Sequence, residues 1–522
     1  MNRAAMMDRL ASRDELWDML IVGGGATGLG CAVDAAARGY RVALVERGDF
    51  GQGTSSRSTK LIHGGVRYLR QGRIGLVMES LGERARLMTL APHLVRDQPF
   101  VVPVHRPGGV LFYGLGLRLY DLLAGRNRLG WSRPLSAAQT RSLLPTLRSD
   151  RLRGSVLYHD GLFDDARLLV ALAQTAAAQG ACLANYVEVE QWIDGPERRL
   201  AGAVARDRET GQALAIRARV VVNATGPFSD RLRRVDNPAA RPLIAPSQGA
   251  HLVLPRSFLP GDSALLIPRT RDGRVLFAIP WHDHIVVGTT ETPLDEPDPD
   301  PRPRPNEIAF LLETLAHYLT RPASAADLRS IFAGVRPLVR SGSSRNTARL
   351  ARDHLVEVSP SGLVSVLGGK WTTYRRMAED AVNRAAVVAG LPRRPCVTGS
   401  LPIHGHEGPS IGSDHWAVYG SDALALRELA GSQPELAQRL HPELPYRAAE
   451  VVWAARNEMA RTVEDVLCRR TRAAFLNARA ALAIAPQVAA LMATVLGRDA
   501  TWIDQQRTSF TQAIQAYLPP EA

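Results

Sequence analysis

The stretch DMLIVGGGATGLGCAVDAAARGYRVALVERGDF (Asp18–Phe50) decides the fold. Met19 to Val22 is a short apolar run that suits a buried parallel strand. Gly23, Gly25 and Gly28 then satisfy G-x-G-x-x-G. The first glycine allows a tight turn, the second lets a pyrophosphate approach the main chain, and the third lets the next helix pack closely on the strand. Ala26 to Arg38 is alanine-rich and predicts that helix, its N-terminal amides facing the phosphates, and Gly39 stops it. Arg41 to Val45 predicts a second strand ending in Glu46, where an acid binds ribose hydroxyls. An acid there, rather than a base, favours FAD or NAD over NADP.

Working outward, 522 residues exceed one compact core, so two or three domains are expected. With 45% apolar and 22% charged residues, the composition is that of a globular chain. Cys31, Cys182, Cys396 and Cys468 are far apart, which argues against a zinc site or disulfide framework and suggests a reducing compartment. No metal site is expected. Met1 to Trp17 lacks the apolar core of a secretory signal, and no uninterrupted apolar run reaches the ~20 residues of a membrane span. A net charge of +13 suits an anionic partner, although free use of arginine explains it equally well. The basic residues are dispersed and form no nucleic-acid module, so nucleic acid is not expected.

Helical patterns recur at Leu76–Leu90 and Asp164–Gly180. ARVVVNATGPFSD (Ala218–Asp230) runs a β-branched strand into a turn, and RVLFAIPWHDHIVVGTTE (Arg274–Glu291) predicts a hairpin around His282 and Asp283. The following proline- and charge-rich segment is a loop leading into a helix near Asn306. GLVSVLGGKWTTYRRMAEDAV (Gly362–Val382) repeats the strand, glycine turn, helix layout of the opening stretch. The expected class is α/β. A discontinuous Rossmann-type domain (17–95, 150–235 and 345–395) is interleaved with a β-sheet substrate or cap domain (96–149 and 236–344). A C-terminal all-helical domain covers 396–522.

GTSSRSTKLIHGGVRYLRQG (Gly53–Gly72) is the second informative stretch. Thr54, Ser55, Ser56, Ser58 and Thr59 crowd hydroxyls in front of Lys60, His63, Arg67 and Tyr68. Hydroxyls suit a phosphate or a flavin edge, and the cations suit an anionic substrate. A solvated basic loop would show the same charges, yet Gly64-Gly65 implies close backbone approach.

The fingerprint, this K-L-I-H-G-G-x-R-Y-L run, NATGPFSD, GVRPL and GGKWTTYR stand in the same order as in the aerobic FAD-dependent glycerol-3-phosphate dehydrogenase family, which the chain resembles over nearly its whole length. EMARTVEDVLCRRTRAAFLNARAA (Glu458–Ala481) is similar to that family's helical domain. The departures are Thr59 and Ala250 where serine is common and Trp371 where leucine is frequent; none removes a charge. The resemblance implies oxidation of sn-glycerol 3-phosphate to dihydroxyacetone phosphate, hydride transfer to flavin N5, and electron delivery to a membrane quinone.

Residue by residue, the resemblance assigns substrate binding to Arg67, Tyr68, Arg336 and Lys370. For the proton acceptor this reaction needs, His251 and His63 are the available imidazoles, with His251 favoured, and Arg336 is the alternative group that would polarise the hydroxyl and stabilise the alkoxide. Gly23, Gly25, Gly28 and Glu46 hold the ADP half; Thr54, Ser55, Ser56, Lys60 and Leu61 lie near the flavin. Ala224, Thr225 and Gly226 line the pyrophosphate side, and Gly368, Gly369 and Thr372 bring amides toward the flavin pyrimidine.

Two other readings compete. A glycerol-3-phosphate oxidase would use oxygen and release peroxide, but the related oxidases carry an extra internal segment not found here. A non-catalytic flavin scaffold would have no reason to keep Arg67, Arg336 and Lys370 together. The expected location is cytoplasmic, peripherally bound to the inner face of the cell membrane, with a homodimer as the expected assembly. GGVLFYGLGLRLYDLLAGRNRLGWSR (Gly108–Arg133), an apolar segment with a basic flank, is the candidate contact with an anionic surface, with the arginine-rich C-terminal helices as a second.

Overall fold

A computed structural model describes residues 1–12, 15–69, 72–340, 354–407 and 414–520, except the side chain of Arg67. Two sheets organise the chain. The first has eight strands, with the order His354–Val358, Val364–Gly368, Ala213–Asn223, Leu16–Val22, Val42–Val45, Cys182–Ala184 along its main path. Its centre is parallel: Leu20 pairs with Val221 on one side and Ala43 on the other. The apolar runs read from the sequence are therefore the buried middle of a sheet covered on both faces. Helix Ala26–Ala37 packs so tightly against helix Tyr374–Val388 that a Cβ on Gly30 would sit 2.9 Å from the Tyr374 ring.

The second sheet has ten strands and carries Leu61–Ile62, Gly154–Phe163, Ile244–Pro255 and Ser330–Val339. Gly154–Phe163 lies in the stretch 150–235 expected in the cofactor domain, yet it pairs along its length with Val95–Val104 of this sheet. Periodicity identifies a strand but not its partner, which here lies some sixty residues upstream. The predicted hairpin is Leu276–Trp281 with His284–Gly288, turning at His282 and Asp283, both at positive φ as a two-residue hairpin requires. The helix expected near Asn306 runs Pro305–Ala316, with Pro305 in its first turn and Glu307 accepting from the Arg304 amide at 2.9 Å.

From Ala423 onward the described elements are all helical. Among the described residues one helix, Ala478–Leu496, is long and apolar enough to cross a membrane. It buries Ile484, Val488 and Met492 in the protein core, so it is the central helix of the C-terminal domain. A short helix not read from the sequence, Arg3–Ala11, is capped by Asn2 and tied to the first sheet through Arg3 and Asp207 (2.7 Å).

Candidate active site

At the carboxyl ends of the parallel strands a cavity of about 1020 Å³ opens, where ligands bind in sheets of this kind. Gly23, Gly25, Glu46, Thr54, Ser55, Ala224, Thr225, Gly226, Gly368, Gly369 and Lys370 all line it. Its walls have glycine where the protein itself does not demand it. A Cβ on Gly53 would meet nothing within 4 Å, and one on Gly25 only Ser55 Oγ at 3.1 Å. Gly28 is different: its Cβ would fall 1.8 Å from the carbonyl oxygen of Gly23, so it serves the helix–strand contact behind the wall. The Glu46 carboxylate accepts from the amides of Gly24 (2.6 Å) and Gly48 (2.9 Å), while burial raises its pKa. These features, bared backbone at a helix N-terminus with an acid at the second strand's end, fit an adenine dinucleotide.

Trp371, noted in the sequence only as a departure, is part of this wall: its indole N–H donates to the Ser55 carbonyl at 2.8 Å. Arg47 and the segment from Val187 to Gln191 also line the cavity and had no local signal. They arrive because Val187 donates to the Glu46 carbonyl at 2.8 Å, a pairing set by a crossover through 140 residues.

The other expected residues lie behind or beside the wall. Leu61 pairs with Leu162 in the second sheet, and the hydroxyl of Thr372 donates to the carbonyl of half-buried His63 at 3.2 Å. Buried Tyr68 lies under the Lys370 ammonium, 4.1 Å from its ring centre, and Lys370 also reaches Ser80 Oγ at 3.3 Å. Arg67, whose side chain lies outside the described residues, sits between Val66 and Tyr68 on the short helix Val66–Leu69.

Lys60 corrects the sequence picture of its charge. Its ammonium is fully buried, donates to the Ser56 carbonyl and to Asp165 at 2.8 Å, and sits among Trp281, Phe332 and Phe475. Burial lowers its pKa against the pull of Asp165. The ion pair fixes the fold of the hydroxyl-rich segment, and the charge is not presented to the cavity.

The two long antiparallel strands Ile244–Pro255 and Ser330–Val339 carry His251 and Arg336. The Arg336 guanidinium donates to Thr289 Oγ1 (2.8 Å) and the Thr290 carbonyl (3.1 Å). A Cβ on Gly249 would collide with it at 2.4 Å. His251 is buried, stacked on Phe332 with ring centres 4.6 Å apart, and its Nε2 meets Thr59 Oγ1 at 2.9 Å. Burial, then the nearby Arg336 and Lys60 charges, hold its pKa well below 6.5, so the ring is neutral at physiological pH. Its Nδ1 has no hydrogen-bond partner among the described residues.

A family model described as FAD dependent oxidoreductase matches residues 18–375, and one described as the C-terminal domain of alpha-glycerophosphate oxidase matches residues 396–503. The chain is 42% identical to a probable mitochondrial glycerol-3-phosphate dehydrogenase of Caenorhabditis elegans, covering 98% of this chain and 74% of that protein. It is 39% identical to the human mitochondrial glycerol-3-phosphate dehydrogenase, covering 99% and 75% respectively. The solved glycerol-3-phosphate dehydrogenase of Bacillus halodurans, complexed with FAD, superposes with a TM-score of 0.81 at 28% identity, over 100% of this chain and 98% of that one. L-alpha-glycerophosphate oxidase of Mycoplasma pneumoniae shares the fold at a TM-score of 0.56 and 17% identity. Matched from the glycine fingerprint through the helical domain, the chain belongs to the FAD-dependent glycerol-3-phosphate dehydrogenase family.

Proposed function

We propose that this protein oxidises sn-glycerol 3-phosphate to dihydroxyacetone phosphate with FAD bound in the cavity, and that its electrons pass to a membrane quinone. The observation that carries the reading is the joining of the fingerprint turn, the Gly368-Gly369 turn and Lys370 in one cavity wall. Gly23, Gly25 and Glu46 would hold the cofactor's nucleotide, and Ser55, Gly368 and Gly369 would lie near its ring system. FAD held there would supply the hydride acceptor, its N5, for the hydrogen on substrate C2. Arg67 and Lys370 bind the phosphate, with Tyr68 supporting the Lys370 ammonium. Arg336, held by Thr289 and Thr290, polarises the C2 hydroxyl. His251 takes the hydroxyl proton at Nδ1, with Nε2–H donating to Thr59; its low pKa keeps that lone pair available.

Adding glycerol 3-phosphate without air tests the activity. The flavin absorbance should bleach, and unchanged colour would reject the enzyme. The C-terminal match to an oxidase domain gives the oxygen-using alternative its support. Admitting air to the bleached protein should yield little peroxide, and stoichiometric peroxide would establish the oxidase instead.

Attachment to an anionic membrane rests on helix Gly109–Ala124. Leu117, Tyr120 and Ala124 face the core, while Leu111, Phe112, Leu115 and Leu122 are each more than 60% exposed and Leu119 46%. Beside this stripe, the exposed Trp131 ring lies 3.7 Å below the Arg128 guanidinium and 5.0 Å from that of Arg118. An apolar face with an aromatic and basic rim suits the lipid interface. Within the C-terminal helices Arg469, Arg470 and Arg472 are buried in ion pairs and face no membrane, whereas Arg479, Arg498 and Arg507 are exposed. Sedimentation with anionic liposomes should persist in part at high salt. Leu115→Glu with Leu119→Glu should abolish that remainder and leave anaerobic bleaching intact; undiminished sedimentation would move the contact elsewhere.

A further inference from the structure

No residue beyond Met377 lines the cofactor cavity among those described, yet the helical domain reaches the back of its wall. The segment after strand Val42–Val45 forms that wall with Glu46, Arg47, Gly51, Gln52, Gly53 and Thr54. It belongs to no sheet, and apart from the closing turn at Thr54 to no helix, so side-chain anchors decide its shape. On the cavity side Glu46 grips the Gly24 and Gly48 amides, and the Gly51 amide donates to the Gly24 carbonyl at 2.9 Å. On the opposite side stands Asp49, fully buried and absent from the cavity wall.

Asp49 is held from the helical domain. Both Arg470 terminal nitrogens donate to it, at 2.7 and 2.9 Å, and Arg469 Nε donates to Oδ2. Asn185, at the end of the neighbouring parallel strand, adds a bond at 3.2 Å. The two arginines lie on the short π-helical turn Asp465–Arg470 and are themselves fixed, Arg469 by Asp465 at 2.8 Å and Arg470 by the Glu458 carbonyl at 2.8 Å. Burial pushes the Asp49 carboxyl up, but the Arg470 and Arg469 charges outweigh it and bring its pKa down to about 2. In this dry interface the ionised carboxylate is fixed by two guanidiniums, and removing its charge takes from Arg470 its close carboxylate partner, Glu458 being 3.9 Å away, while Arg469 keeps Asp465 and Glu464. A π-helical turn is also a frequent device at functional sites.

We propose that Arg469 and Arg470, acting through Asp49, are positioning residues for the cofactor-facing loop Glu46–Thr54, so that docking of the helical domain tightens FAD binding. The proposal rests on the cavity being the FAD site. The clamp keeps the loop amides and Glu46 in place before the nucleotide arrives, which removes an ordering cost from binding.

The test uses the full chain stripped of flavin and titrated with FAD by fluorescence quenching. Asp49→Asn keeps the side chain's size and removes its charge; its FAD Kd should rise on the order of tenfold or more. Hydrogen exchange at the 47–54 amides should quicken, and kcat at saturating FAD should stay near that of the unmodified protein. Arg470→Lys keeps the charge but loses the paired contact; it should weaken FAD less, and it carries the test should Asp49→Asn fail to fold. Folded variants that melt earlier yet bind FAD as tightly as the unmodified protein, with unchanged loop exchange, would reduce the clamp to a stability feature and overturn the proposal. If the unmodified protein takes up no FAD, the cofactor assignment itself falls.

Discussion

Gly25→Val should give folded, colourless protein. Gly25 has φ −82° and ψ −175°, a conformation open to any residue, and its added Cβ would approach only the Ser55 hydroxyl. The backbone there admits a side chain and only the Ser55 hydroxyl, at 3.1 Å, would have to give, so the substitution bears chiefly on the ligand. Valine would occupy the space through which the pyrophosphate reaches the helix N-terminus. An FAD affinity loss of at least about a hundredfold, roughly 2.7 kcal/mol, is expected. Flavin absorbance should be lost at purification while far-UV circular dichroism and the unfolding temperature stay close to those of the unmodified protein. A yellow Gly25→Val protein would place the pyrophosphate elsewhere. Gly28→Val makes the contrast: its Cβ would strike the Gly23 carbonyl, so that protein should fail to fold rather than merely lose colour.

Arg336→Ala and Lys370→Ala should each lower kcat/KM for glycerol 3-phosphate by about thirtyfold or more with flavin retained. Loss of a charge-assisted contact in a largely desolvated site costs about 2 kcal/mol. The two should differ in kind. Lys370 lines the cavity above the Tyr68 ring, and a phosphate ligand bound equally in ground and transition states appears mainly in KM. Arg336, in its proposed role of stabilising charge that develops only as the hydroxyl loses its proton, should on loss appear in kcat. Normal kcat/KM in either variant would remove that residue from the site.

Where the sequence and the structure part company, the cause is a distant partner. Lys60 has the composition of a ligand-binding cation, but Asp165 and three aromatic rings from other parts of the chain claim it. The arginine-rich run near Arg470 resembles a basic surface, yet its charges meet Asp49 and Asp164 across a domain interface. These buried pairs are charge-balanced, so they leave the net charge of +13 unchanged and only withdraw particular cations from the surface. In helix Gly109–Ala124 the apolar spacing was visible, but which leucines face outward depended on where Tyr120 and Leu117 found the core.

By itself the sequence determined the nucleotide-binding strand, turn and helix, the acid at Glu46, the hairpin at His282 and the glycine turn before Lys370. These signals are local: glycine at fixed offsets, alternation along a strand, and an apolar run the length of a buried strand carry their meaning within a dozen residues. Only the tertiary structure decided that Gly154–Phe163 joins the second sheet, that Val187–Gln191 lines the cavity, and that His251 is buried and neutral. It alone brought Arg469 and Arg470 beneath the cofactor loop. Strand partners, burial and ion pairs are set by contacts between segments far apart in the chain, and the charge state of a buried group follows from those neighbours rather than from its own place in the chain.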